Sequence, residues 1–358
     1  MKFTIVALFF FAMCTEAQEA NSGFEVHGML TVSSAYSNDL TEDPRDGSPI
    51  ASGFRAVVYP TWKIDENWSV SGAVDVRSRP YFYEEFSTQG YGLKADVLQL
   101  HLTYSRFWHN RSLVVRAGQL SSAFGSFLLR YDEYSNPLTQ LPLSYGYYGD
   151  GVTTLGLMGA QIDATIGKLD MRAQFVNSSP TNRRSIFDRD QYGNWAGGLG
   201  YTIVQGFRVG VSAYRGPYLD RQSPYYFPGE AEPKDLPGSA YGVDVQWGRG
   251  PWNAYGELQK FHFVYHAIPT FNENTGYVEV RRTLNPRWYV ATRIGYMRSN
   301  AEPAVNAIEG AVGFRPNRFQ LLKAGYQVEY TPGTRGSLDS VLAVQLVTLL
   351  RPLNFSRD

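Results

Sequence analysis

The sequence predicts an all-β fold: a transmembrane antiparallel up-and-down β-barrel of about 16 strands, with short turns at one end and long loops at the other. Three observations predict it. A strict two-residue alternation of apolar and polar side chains returns along the whole chain. The connections between alternating segments are short and long by turns. Aromatic side chains gather beside the short ones.

The elements follow in chain order. Met1-Lys2 gives a positive start, Phe3 to Met13 is an unbroken apolar run, and Thr15-Glu16-Ala17 ends in a small-x-small pattern. That layout is a secretory signal peptide, too short to cross a bilayer as a helix. Residues 1–17 are therefore expected to be cleaved, with Ala20 as the alternative site, leaving 18–358 as a single barrel domain. A lipid anchor on Cys14 would need a small residue where Met13 stands. The one cysteine leaves with the peptide, so disulfides and thiol catalysis are excluded.

From Trp68 to Arg79 one parity reads Trp68, Val70, Gly72, Val74, Val76, and the other Ser69, Ser71, Ala73, Asp75, Arg77, Arg79. A helix would mix the two sets on every face, whereas a strand separates them. The same reading gives strands at Phe24–Ala35, Gly53–Ile64, Trp68–Arg79, Lys94–Phe107, Ser112–Leu120, Thr153–Ile166, Lys168–Asn177 and Gly193–Ile203. It continues with Phe207–Arg215, Ser239–Trp247, Trp252–Val264, Gly276–Leu284, Arg287–Arg298, Val305–Phe314, Arg318–Tyr330 and Ser340–Leu350. Most run about ten to thirteen residues, the length of a tilted bilayer-crossing strand, where soluble strands more often have about five or six.

The short links are Asp65-Glu66-Asn67, His109-Asn110-Arg111, Gly167-Lys168, Gln205-Gly206, Gly248-Arg249-Gly250-Pro251, Asn285-Pro286 and Arg315-Pro316-Asn317. These residues reverse a chain at little conformational expense. Longer polar and aromatic stretches alternate with them: Ser37–Ala51, Pro80–Leu93, Ser121–Val152, Asn177–Gln191 and Gly216–Gly238. Trp62, Trp68, Phe107, Trp108, Trp252, Trp288 and Phe319 sit beside the short links, as an interfacial aromatic girdle requires.

Taking the short links as periplasmic assigns the faces. Phe54, Ala56 and Val58; Val70, Val74 and Val76; Leu98, Leu100 and Leu102; Leu113, Val115 and Ala117; and Leu342, Val344 and Leu346 are expected to meet lipid. The opposite parity carries Arg55, Asp75, Arg77, Arg79, Arg116, Asp163, Asp170, Arg172, Glu257, Glu279, Arg281, Arg293, Glu309, Lys323 and Glu329. Charge on the lipid side costs a few kcal/mol near the midplane. An interior this charged is expected to hold water, in a lumen too wide for side chains to fill. Charges balance at net zero, which steers the chain to no nucleic acid. Mean hydropathy is slightly negative, and no later apolar run reaches the roughly 20 residues of a membrane helix.

Ser121–Val152 is the longest connection, and long loops are usually functional. Here the chain resembles the bacterial outer-membrane porins, general and phosphate-selective, over nearly all of its mature length. The stretch Arg116-Ala117-Gly118-Gln119-Leu120-Ser121-Ser122-Ala123-Phe124-Gly125 looks like their strand-into-loop segment. The resemblance implies a third external loop folded into the barrel, with Arg130, Asp132 and Glu133 in the pore, facing Arg55, Arg77, Arg79 and Arg116 on the wall. It further implies passive diffusion of small hydrophilic solutes and ions in the outer membrane, contact with lipid and lipopolysaccharide, and a homotrimer. Gly28, Ala35 and Ala343 are small residues compatible with a trimer patch. Asp75, Arg172, Glu257, Arg281 and Arg293 are the further lumen charges. Arginines number 26 against 7 lysines, which favours bidentate contacts, but the acids among them point to a mixed-charge pore.

Three rival readings remain: a substrate-specific channel for an anion or sugar, or a receptor-like barrel, with Tyr218, Tyr225, Tyr226 and Phe227 at the mouth; a structural or adhesive barrel without throughput, against which the lumen charges argue; and a barrel enzyme. The enzyme lacks its constellation. His101 and Ser105 share a parity four residues apart, about 13 Å along a strand, too far for a nucleophile and its base. His262 and His266 could hold a metal only weakly, so no cofactor is expected.

Overall fold

The computed structural model describes residues 22–38, 49–79, 92–130, 132–146, 152, 155–177, 193–218, 235–266, 268–301, 303–332 and 338–356. The leader expected at 1–17 and most of the connections between 38 and 49, 79 and 92, 177 and 193, and 218 and 235 lie outside the described residues.

Sixteen strands form one closed antiparallel barrel. They are β1 (Gly23–Ser37), β2 (Ile50–Lys63), β3 (Trp68–Arg79), β4 (Gly92–Trp108), β5 (Arg111–Leu120), β6 (Leu157–Ile166), β7 (Leu169–Asn177), β8 (Gly193–Val204), β9 (Phe207–Pro217), β10 (Pro237–Arg249), β11 (Trp252–Phe263), β12 (Phe271–Asn285), β13 (Trp288–Ser299), β14 (Val305–Asn317), β15 (Gln320–Tyr330) and β16 (Leu338–Ser356). Each pairs with its sequence neighbours, and β1 closes the ring on β16. Closure leaves no strand edge unpaired, which is the condition for a sheet to sit in hydrocarbon.

The short turns are built as their residues suggest. Asp65 accepts from the amides of Asn67 (2.7 Å) and Trp68 (2.8 Å), and Asn285 does the same for Arg287 (2.9 Å) and Trp288 (3.1 Å). Gly167 and Gly250 turn at φ of 60° and 58°, left-handed conformations that favour glycine.

The outer surface is apolar. Leu258, Val278 and Ile294, on three successive strands, are each more than half exposed (55%, 58% and 59%), an apolar surface of the kind a bilayer covers. Trp62, Trp68, Phe107, Trp108, Trp252 and Trp288 are exposed at the short-turn end. Tyr36, Trp195, Tyr241, Tyr296 and Tyr330 form a second exposed ring towards the long-loop end.

Three expectations about individual residues need correction. Leu98 is buried and off the lipid face, because β3 and β4 slip register between Ala73 and Val74 and Leu98 is the extra residue of that bulge. Beyond it Val97, rather than Leu98, points outward. Ala35 and Ala343 are paired with each other and buried inside the barrel, so of the three small residues only Gly28 lies on the outer parity, covered by Leu350. The last strand runs through to Ser356 rather than ending at Leu350. Arg351-Pro352 falls where the β1–β16 register shifts between Val26 and Gly28, a place where a proline needs no amide partner. Beyond the shift Phe355 pairs with Phe24, their ring centroids 6.1 Å apart.

Candidate functional site

The connection between β5 and β6 has its own local structure. It contains a 3-10 turn at Phe127–Arg130 and a helical turn at Leu143–Gly146. Between them the Asp132 carbonyl accepts from the amides of Ser135 (3.2 Å) and Asn136 (2.9 Å), and its carboxylate takes the Ser135 amide at 2.7 Å. Asn136 closes the next bend, accepting from the Leu138 amide and donating to the Gln140 carbonyl. A loop so knitted crosses space as a unit.

It spans the barrel interior and is held on nearly every strand it passes. On β7, Gln174 accepts from the Ala123 amide (3.1 Å) and donates to the Ser121 carbonyl (2.7 Å). On β9, Ser212 accepts from the Gly125 amide at 3.2 Å. On β11, Glu257 accepts from the Ser126 amide (2.8 Å) and the Tyr145 hydroxyl (2.9 Å), with Gln259 and Tyr277 donating as well. Five donors, counting the Ser126 hydroxyl, thus hold a carboxylate that makes no ion pair with a described residue. That is how a buried charge is tolerated without a cation. On β12, Glu279 takes Arg130 at 2.6 Å. On β13, Arg293 pairs with the same Glu279 (2.9 Å) and donates to the Gln140 carbonyl and the Asn136 amide oxygen. On β14, Glu309 receives the Thr139 amide (2.7 Å) and hydroxyl (2.9 Å) and the Gln140 amide (3.0 Å).

The tip is fixed by two cations. Lys323 on β15, fully buried, donates to the carbonyls of Glu133 (2.7 Å), Leu138 (2.9 Å) and Asn136 (3.1 Å). Arg55 on β2 reaches the Glu133 carboxylate at 3.1 Å. Beneath the tip, Leu138 packs with Met29, Val57, Leu321, Val347 and the ring of Tyr289, whose hydroxyl donates to the Pro137 carbonyl. Glycine makes room at one point: a Cβ on Gly325 would lie 2.5 Å from the Thr139 hydroxyl.

Arg55 begins a chain of alternating charge along the wall. Asp75 accepts from Arg55 (2.9 Å) and Arg77 (2.7 Å), Arg77 lies 3.7 Å from Asp96, and Asp96 is 3.5 Å from Lys94. Side-chain exposure rises along it, from 0% at Glu133 and 2% at Arg55 to 30% at both Asp96 and Lys94. The same division holds around the ring. Glu279, Arg293, Glu309 and Lys323 are buried under the loop. On the opposite wall Arg116 pairs with Asp163, both near 30% exposed, and Arg208 bridges Asp170 (2.6 Å) and Asp244 (2.7 Å).

The candidate residues of the sequence therefore fall into two groups. Arg55 and Glu133 do not oppose each other across a water gap; they touch, because the loop tip rests on the wall. Asp75, Glu257 and Arg293 likewise serve the packing of the loop, and Arg130 lies over the ring of Tyr255 at 3.8 Å. Asp132 turns back into its own loop, and burial raises the pKa of its carboxyl above the usual aspartate range. Burial, with Glu257 beside it, raises the Tyr145 hydroxyl too. Arg77 belongs to the wall chain, and the side chain of Arg79 lies outside the described residues. Arg116 and Arg172 stand apart from Arg55, on the partly exposed wall, where Arg172 donates to the Gly125 carbonyl at 2.5 Å. Arg281 sits near Tyr289, 5.9 Å from the ring centroid.

Sequence reasoning placed Lys323 and Glu309 among the inward charges without giving either a role at the constriction, and it did not name Arg208. The first two carry the inward parity, but their partners are backbone groups of a distant loop, for which a sequence gives no signal. Arg208 faces inward beside the paired Gly200 and Gly210, where a Cβ on either would crowd its guanidinium, and only those glycines hint at it. His101 is bound to Thr103 at 2.9 Å, and among the described residues no cluster of His, Cys, Asp or Glu could hold a metal.

No protein-family model and no curated protein matches the chain. Solved structures do match its fold. OmpT, an outer membrane protein of Vibrio cholerae in its trimer form, is 12% identical with a TM-score of 0.59 over 92% of this chain and 100% of that one. An anion-selective porin from Comamonas acidovorans is 11% identical with a TM-score of 0.61, covering 93% and 100%. The outer membrane channel DcaP of Acinetobacter baumannii is 10% identical with a TM-score of 0.59, covering 92% and 98%. The architecture is thus that of sixteen-stranded outer-membrane barrels, including channels.

Proposed function

We propose that this chain is a bacterial outer-membrane porin: a passive channel for small hydrophilic solutes and ions, narrowed by the loop between β5 and β6. The observation that carries this reading is the unequal burial of the interior charges. On the β11 to β2 side they are consumed in holding the loop. On the β4 to β7 side Lys94, Asp96, Arg116, Asp163 and Asp170 keep 30–40% of their side-chain surface exposed. Charges left partly exposed inside a lipid-facing barrel require water around them. Both signs occur there, so the pore is read as mixed in charge, with Arg116 and Arg172 its principal anion-facing groups. The loop acts as a fixed half-wall, and the reading calls for no catalysis and no cofactor.

A homotrimer would bury the outer faces of β14 to β3, where no charged side chain of a described residue points outward between the two girdles. Reconstitution in planar bilayers tests the channel. Discrete conductance steps are expected, and the pair R116E and R172E is expected to shift the reversal potential towards cation preference. Absence of current from folded protein would overturn the reading, and saturable block by one sugar would replace it with a substrate-specific channel.

A further inference from the structure

The outer face of the barrel is nearly free of charge, and the exceptions are not scattered. Between the short-turn girdle and the long-loop end, the acidic or basic side chains of described strand residues that point outward, tyrosines aside, are Arg215 on β9, Lys260 and His262 on β11, and Arg298 on β13. All four are exposed. Their orientation follows from their neighbours: Tyr214, Phe261, Phe263 and Met297 are buried inside, while Leu258 and Tyr296 are exposed outside.

Strand register places them together. Arg215 pairs with Ser239, and Ser239 with His262. One level lower Tyr241 pairs with Lys260, Lys260 with Asn274, and Asn274 with Arg298. Arg215 and Lys260 are two strands apart, as are Lys260 and Arg298, a lateral step of roughly 10 Å each. Tyr241 and Tyr296 stand among them with their rings exposed at the apolar boundary, below which Leu258, Val278 and Ile294 continue the lipid-facing surface. No carboxylate of a described residue lies within ion-pair distance of Arg215, Lys260 or Arg298. Asp235, exposed, lies four residues beyond Ser239, about 13 Å further along the chain. Cations held at the rim of an apolar belt, with amides and hydroxyls between them, are complementary to anionic groups attached to acyl chains.

We propose that Arg215, Lys260 and Arg298, assisted by His262 and Asn274, form a docking site on the outer face of β9 to β13 for the phosphate groups of an outer-leaflet lipid. The site rests on the outer-membrane reading and deepens it. It selects a multiply phosphorylated headgroup, because three separate cations about 10 Å apart exceed the reach of one phosphate. It also marks β9 to β13 as a face turned to lipid in any assembly.

The test uses the full chain refolded in phosphatidylcholine nanodiscs, with two probes: a bis-phosphorylated, multiply acylated glucosamine disaccharide and its dephosphorylated form. Co-purified lipid is measured by native mass spectrometry. The wild type is expected to retain the phosphorylated probe in preference, and the triple variant R215Q/K260Q/R298Q to lose that preference by at least about fivefold, the scale set by removing one cation near a charged lipid surface. The charge-keeping variant R215K/R298K is expected to retain it, as is R106Q/R282Q, which removes outward arginines from the short-turn end. Equal retention of both probes by the wild type would overturn the proposal, as would equal loss in R106Q/R282Q. Competition by inorganic phosphate that removes the preference without acyl dependence would also overturn it. Conductance of the same samples separates the two readings: a chain that passes no ions yet discriminates the probes loses the channel assignment and keeps the lipid site.

Discussion

The guanidinium of Arg55 lies 3.1 Å from the carboxylate of Glu133, and both side chains are all but sealed from solvent. One comes from the second strand and the other from the loop that follows the fifth, 78 residues later. Through Asp75 the same arginine joins Arg77, so the tip of the loop is tied into the wall rather than suspended beside it.

Breaking that tie at Arg55 leaves two buried carboxylates with less than their share of positive charge. R55L is expected to lower stability by about 3–5 kcal/mol, the range for removing one partner of a buried pair. Thermal unfolding in detergent reads the loss, and single-channel records are expected to show new current noise as the tip fluctuates. An unchanged melting temperature would show that Arg77 alone satisfies Asp75 and that the Glu133 contact contributes little.

Lys323 carries three loop carbonyls on one ammonium group. In K323M those acceptors lose their donor, at about 1–3 kcal/mol for each buried group left unmade. The expected result is protease cleavage within residues 121–146 that the wild type resists, together with a larger conductance. Resistance equal to the wild type would mean that Glu309 and Arg293 suffice to hold the tip.

Gly325 tests close packing without touching charge. A methyl group there meets Thr139 at 2.5–3.3 Å, so G325A has to push the loop inward at a cost of roughly 1–3 kcal/mol. Adding T139G removes the atoms that collide. A double-mutant cycle is expected to give a coupling of at least about 1 kcal/mol, and additivity would place the two residues apart.

Asp132 gives a pH dependence with a definite sign. Burial raises its carboxyl in the folded state, so its contribution favours folding while it is protonated and is lost as pH rises through the folded value. At neutral pH its charge therefore weighs against the loop. D132N keeps an oxygen for the Ser135 amide and removes that charge. Its melting temperature is expected to exceed the wild type's near neutrality, with the gap closing as pH falls towards the ordinary aspartate value. A gap that widens on acidification would reverse the assignment.

How much was legible in the sequence differs between wall and contents. Trp68–Arg79 was readable to the residue, because Val70, Val74 and Val76 against Asp75 and Arg77 form a period that lipid on one side and polar groups on the other enforce locally. The short turns at Asp65 and Asn285 were equally local. Leu98 departs from the expected face because a one-residue bulge reverses parity, and its only mark in the sequence is the adjacent apolar pair Val97-Leu98, where the polar phase passes from Lys94 and Asp96 to Gln99 and His101.

By itself the sequence determined the number of strands, their faces, the order of short and long connections and the collection of charge on the inner parity, since each follows from a period of two residues and a bilayer of given thickness. Only the tertiary structure decided which charges meet. Lys323 reaches the Glu133 carbonyl across 190 residues, and Arg55 the Glu133 carboxylate across 78, because ring closure brings β15, β16, β1 and β2 side by side and the loop crosses the interior to them. Whether a charge lies bare in the lumen or buried under the loop depends on that path, and a path through space has no periodicity for a sequence to display.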